Sequence, residues 1–239
     1  MSSTDSAGVL HHHFDNIEQQ KGSHKLGMWA FLITEAMFFG GVIAAYTAYR
    51  IWYPKDWEAA SSKLNVLIAM INSVLLLTSS LTITLAIHAA QRCDKEAVKR
   101  YLLLTALLGI AFLGFKAREY YLDYHEHLIP GKLFSTVAEG EKHSPADEFR
   151  HEGVSPERVQ LFYMFYYSMT GLHVLHMVIG IGIILWLYHL ARKGFFHHPD
   201  RATSVEVISL YWHFVDVVWF FLVAILYCAG PHTGAQMHL

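Results

Sequence analysis

The groups able to do chemistry in this chain are carboxylates and imidazoles set among apolar residues. Glu35 sits between Phe31-Leu32-Ile33 and Met37-Phe38-Phe39, with no other charge between Lys25 and Arg50. An ionisable group in hydrocarbon costs about 2.5–3.5 kcal/mol on insertion scales, so it needs a partner or a role. Glu35 is either a hydrogen-bonded packing carboxylate or a proton-active or lipid-contacting one. Glu206, Ser209, His213 and Asp216 recur at intervals of three, four and three, which puts all four on one face of a helix. His213 and Asp216 are then close enough to form a proton relay or a mutually satisfied buried couple. Glu206 also has a capping role open to it, in a Thr203-Ser204-Val205-Glu206 capping box. His173 and His176 lie one turn apart, and Thr170, His173, Met177 and Gly180 share a face. Haem ligation would need histidines on facing helices at matched depth; His88, His173, His176 and His213 are the candidates, and none forms a spacing diagnostic of a metal. The two cysteines, Cys93 and Cys228, are too far apart in sequence for a CxxC pair and too few for a thiolate metal site or a disulfide framework.

The elements that position these groups follow from charge-free stretches. Of 239 residues, 54% are hydrophobic and only 16% charged, an unusual balance for a water-soluble domain. About 20 apolar residues at 1.5 Å rise cross a hydrocarbon layer of about 30 Å. Five segments meet that requirement, which predicts an all-α bundle of transmembrane helices over about 26–50, 64–92, 97–127, 156–192 and 203–230. A polar tail over 1–25 precedes the transmembrane domain of 26–231, and a short tail of 232–239 follows. The third span is the least clean, because Lys116, Arg118, Glu119 and Asp123 follow Phe115. They are expected at the emerging end of the helix, with Lys116 and Arg118 snorkelling.

Ser155-Pro156-Glu157-Arg158 reads as an N-cap, a first-turn proline and an acidic first turn opening the fourth span. Leu128 to Arg158 holds three prolines and ten charged residues, which predicts a solvated loop. Arg92–Arg100 carries four cations in nine residues and Arg192–Arg201 three in ten, both on the side of the N-terminus. The positive-inside rule makes that side cytoplasmic and the C-terminal end periplasmic. Eighteen Lys and Arg against twenty Asp and Glu leave no basic surplus for a phosphate backbone, so nucleic acid is excluded as a partner. His11-His12-His13 is a short run in the tail.

One stretch of the fifth span, Tyr211-Trp212-His213-Phe214-Val215-Asp216-Val217-Val218-Trp219, resembles the signature of subunit III of the haem-copper respiratory oxidases. Thr170-Gly171-Leu172-His173-Val174-Leu175-His176, Glu119-Tyr120, Asn72-Ser73-Val74-Leu75-Leu76 with His88, and Trp29 through Phe39 around Glu35 resemble further segments of that family, in its order. With only a polar tail ahead of the first match, the chain is similar to the short five-helix bacterial form. Lys116 stands where many members have Gln.

The resemblance implies a non-catalytic accessory subunit of a proton-translocating cytochrome c oxidase in the bacterial inner membrane. It implies no haem, copper or other metal in this chain, those cofactors belonging to catalytic subunit I and copper-bearing subunit II, its expected partners. It also implies phospholipid bound in a helical cleft: Glu35 would be the buried carboxylate there, and Arg192 or Lys193 would meet a lipid phosphate. His173, His176, Glu206, His213, Asp216 and Glu119 would form a polar stripe within the membrane. A quinol oxidase or nitric oxide reductase complex, a histidine-ligated haem cytochrome and a small proton-coupled transporter are the rival readings. Membership of a respiratory supercomplex is a property of other chains.

Overall fold

The computed structural model describes residues 16–137, 144–151, 153–196 and 198–227. The His11–His13 run, Cys228 and the 232–239 tail lie outside them. Among the described residues the regular structure is helical: α1 (Ile17–Trp52), α2 (Pro54–Ser62), α3 (Val66–Gln91), α4 (Lys95–His125), α5 (Pro145–His151), α6 (Pro156–Arg192) and α7 (Ala202–Leu226), with 3-10 turns at Lys132–Ser135 and Pro199–Arg201. Among the described residues, five helices (α1, α3, α4, α6 and α7) are long and apolar enough to cross a membrane.

These helices correspond to the five expected spans, with shifted ends. The first begins at Ile17, nine residues ahead of expectation, because Asn16 caps it: its Oδ1 accepts the Gln19 amide at 2.7 Å. Several helices stop in the same way. After α6, Gly194 (φ 76°) donates its amide to the Ala191 carbonyl and Phe195 to that of Leu190, the paired bonds of a Schellman end. After α3, Cys93 (φ 57°) and Asp94 make the equivalent bonds to Ala90 and Ala89, in the left-handed region that usually calls for glycine. Asp94 then caps α4 by accepting the Ala97 amide on Oδ1 at 3.1 Å. A few residues thus suffice to reverse the chain between two spans.

The tertiary contacts gather the described residues into two groups of segments. The first takes them from Met1–Met37, Leu75–Ala111 and His176–Val217. Here Thr82 and Thr105 join α3 to α4 at 2.8 Å, and the Trp212 indole donates to Ser79 Oγ at 3.0 Å, joining α7 to α3. Small residues allow that packing: a Cβ on Gly109 would lie 3.0 Å from Ile181 and Trp212, and one on Gly180 would lie 3.0 Å from Trp212.

The second group takes its residues from Phe38–Val74, Phe112–Leu175 and Val218–Leu239. Tyr46 donates to the Ile225 carbonyl at 3.0 Å and sits against the rings of Trp57, Phe162 and Phe165. The α2 helix is tied down by buried Asp56, which accepts the Ser155 amide at 2.9 Å and lies 3.4 Å from the Arg158 guanidinium. The Leu128–Arg158 connection departs from a merely solvated loop. It folds a 3-10 turn and α5, and buries Phe134 stacked on Phe149 at 6.0 Å. Phe134 also meets the ring of Tyr163 on α6 at 6.3 Å, so the connection is packed onto the bundle by its aromatic residues.

Candidate functional site

Apart from Gln20 near its start, the α1 helix buries only a narrow stripe, Leu32, Phe39 and Tyr46, at intervals of seven. Seven residues are two turns, so these three lie in one line along the helix. Trp29, Phe31, Ile33, Met37 and Phe38 around the stripe are exposed. Glu35 falls at the edge of this line, one turn past Leu32. Its Oε2 lies 3.1 Å from Nε2 of His176 on α6, with side-chain exposures of 21% for Glu35 and 12% for His176. Tyr211 of α7 completes the group: its hydroxyl donates to the His176 carbonyl at 2.9 Å and its ring stacks on the imidazole at 6.4 Å. The carboxylate therefore has a polar partner and still keeps part of its surface open among apolar side chains.

His213 and Asp216 meet through a third residue rather than directly. Ser80 of α3 lies 2.8 Å from His213 Nδ1 and donates to Asp216 Oδ2 at 2.6 Å. With its hydrogen on Asp216, the serine oxygen accepts from the imidazole Nδ1–H, which fixes the tautomer. Spacing alone had no means of finding Ser80, because it lies on another helix. Glu206 does not close the expected capping box. The helix begins at Ala202, so Thr203 is already inside it, and the carboxylate instead meets Lys25 at 2.9 Å and the Gln91 amide at 3.0 Å.

Lys116 is the largest departure from expectation. It does not snorkel: its side chain is 1% exposed. Its ammonium donates to Glu119 Oε2 at 3.0 Å and to the hydroxyls of Tyr166 at 3.0 Å and Tyr227 at 2.9 Å. Both phenols donate in turn to Glu119 Oε1, at 2.8 and 2.6 Å. Three ammonium donors and both carboxylate oxygens are thus engaged, which is the condition under which a buried ion pair is tolerated. The sequence did carry a signal. Among the buried positions of α4, Val98, Leu102, Thr105, Gly109, Phe112, Lys116, Glu119 and Asp123 follow alternating steps of four and three. Extending the apolar register through the charges would have placed all three of them inside. Asp123 accepts from Tyr167 at 3.1 Å, and Arg118, off that register, is exposed.

His173 is fully buried, with its ring 5.5 Å from that of Phe112 and 5.2 Å from that of Trp219. Arg192 and Lys193 are exposed at the end of α6. Sixteen residues separate Arg192 from His176, about 24 Å along the helix. Glu35 with His176, Ser80 with His213 and Asp216, and Glu206 with Lys25 and Gln91 each join side chains from different helices. Among the described residues, no group of three or more His, Cys, Asp or Glu side chains could hold a metal ion.

The comparisons with known proteins agree with this architecture. The family model described as cytochrome c oxidase subunit III matches residues 5–126 and 159–231. The chain is 29% identical over 213 residues to cytochrome c oxidase subunit 3 of Thermostichus vulcanus, covering 89% of this chain and 90% of that one. It is 32% identical over 205 residues to the protein of the same name from Corynebacterium diphtheriae, covering 84% and 86%. It is 30% identical over 213 residues to that of Alkalihalophilus pseudofirmus, covering 88% and 89%. With five membrane-length helices among the described residues, the chain belongs to the cytochrome c oxidase subunit III family, multi-pass membrane subunits of haem-copper oxidases.

Proposed function

We propose that this chain is a non-catalytic accessory subunit of a bacterial cytochrome c oxidase, which stabilises the catalytic subunit and holds phospholipid against its first span. The observation that carries this reading is the surface of α1. One line of side chains is buried, the flanks are apolar and exposed, and a half-buried carboxylate–imidazole pair stands between them. In a membrane that surface is covered by acyl chains or by a neighbouring subunit. Glu35 offers a lipid or a partner a polar contact within an otherwise apolar band. Arg192 and Lys193, at the end of α6, are cations suited to a lipid phosphate. Haem and copper belong to the partner subunits I and II in this reading, and electrons do not pass through this chain.

The cation-rich Arg92–Arg100 and Arg192–Arg201 connections support an N-terminus in the cytoplasm and a C-terminal end in the periplasm of the inner membrane. A membrane-impermeant thiol reagent tests this at Cys93, which the reading makes reachable from the cytoplasmic face of the vesicle membrane. The accessory role is tested with Glu35→Ala in the assembled oxidase. Haem content stays at the wild-type level while retained phospholipid or durability during turnover falls. Loss of haem from the complex would overturn the reading.

A further inference from the structure

We propose that the side chain of Asn72 binds an internal water molecule within the bundle. Among the buried positions of α3, Ala69, Asn72, Leu76, Ser79, Ile83, Ala86 and Ala90 form one continuous stripe at steps of three and four. Asn72 is fully enclosed on that stripe, and among the described residues neither its amide nitrogen nor its amide oxygen has a protein partner. It lies six residues past the start of α3, about 9 Å along the axis, well inside a helix of membrane-spanning length. Ile68, Ala69 and Leu76, its neighbours one turn away on the same helix, offer only apolar side chains.

Three other groups with enclosed polar atoms that lack a partner among the described residues have less need of one. The Trp57 indole sits among the rings of Tyr46, Tyr49 and Phe162, Tyr163 contributes a single hydroxyl, and the other oxygen of Asp216 already accepts from Ser80. Asn72 differs from these three in leaving two separate polar atoms unmet, an NH2 with two hydrogens and a carbonyl oxygen with two lone pairs. A ligand that satisfies both must accept one bond, donate another and be small enough to be enclosed, which is the chemistry of water. The serine on the same stripe shows the contrast: Ser79 accepts the Trp212 indole and donates to the Leu76 carbonyl, so it needs no water.

The test is water-edited solid-state NMR on the full chain in phospholipid bilayers, labelled with nitrogen-15 asparagine. The chain has three asparagines, Asn16, Asn65 and Asn72, so the side-chain spectrum is sparse. Asn72→Leu assigns the buried signal by its loss. If that variant does not assemble, Asn16→Asp and Asn65→Asp, which keep both cap acceptors, assign it by elimination. Direct polarisation transfer from water to the Asn72 amide, surviving in bilayers where the lipid-facing side chains receive none, is the expected result. An Asn72 amide that receives none, or that receives it only from another protein group, overturns the proposal.

Discussion

Glu35 and His176, 141 residues apart in sequence, stand 3.1 Å apart and join the first span to the fourth. A lone carboxylate on a lightly packed helix thereby acquires a fixed place. Because the two act as one unit, removing either should cost most of what removing both costs. Glu35→Ala and His176→Leu are each expected to lower the phospholipid retained by the purified complex. In a double-mutant cycle on thermal dissociation of the subunit, the coupling should fall between about 0.5 and 3 kcal/mol. Strict additivity would show that the contact contributes nothing.

The Lys116–Glu119 pair gives an asymmetric prediction. Lys116→Met leaves Glu119 enclosed with two phenols and no cation, and should destabilise the subunit by about 3–5 kcal/mol. The double substitution Lys116→Met, Glu119→Leu removes both charges and should recover much of that loss, because the enclosed phenols then face an apolar filling rather than an uncompensated carboxylate. Thermal denaturation in detergent, read at the subunit, distinguishes the two variants.

Ser80 is the link between His213 and Asp216. Ser80→Ala withdraws the hydroxyl that meets both and should cost about 1–3 kcal/mol, the penalty for leaving a buried acceptor unmet. Ser80→Thr keeps the hydroxyl and should restore most of the stability. An alanine variant that melts with the wild type would remove the serine from this role.

Glycine positions separate by what surrounds them. Gly180→Ala drives a methyl toward the buried ring of Trp212, and Gly109→Ala toward Trp212 and Ile181, so each should destabilise by about 1–3 kcal/mol. A Cβ on Gly171 would meet nothing within 4 Å, and Gly171→Ala should leave stability unchanged or raise it by up to about 1 kcal/mol. Melting temperatures of the three variants, compared in one detergent, test the contrast.

The number of spans was legible in the sequence, which also carries a proline suited to open a helix at Pro156 and the polar residues His173 and Asp216 at helical spacing from apolar ones. Each depends on local quantities: the length of an apolar run, a proline that suits a first helical turn, and a polar residue in register with apolar ones. The fate of the polar groups was not. Lys116 next to a charged tail looks like a residue leaving the membrane, until Tyr166 and Tyr227 arrive from two other helices to hold it inside. Ser80 stands on a different helix from His213 and Asp216, and Glu206 is as well placed for a cap as for Lys25 until the helix start is known. Apolar burial acts along one helix and leaves its period in the sequence. Hydrogen bonds and ion pairs depend on which helices become neighbours, and that is decided only when the bundle packs.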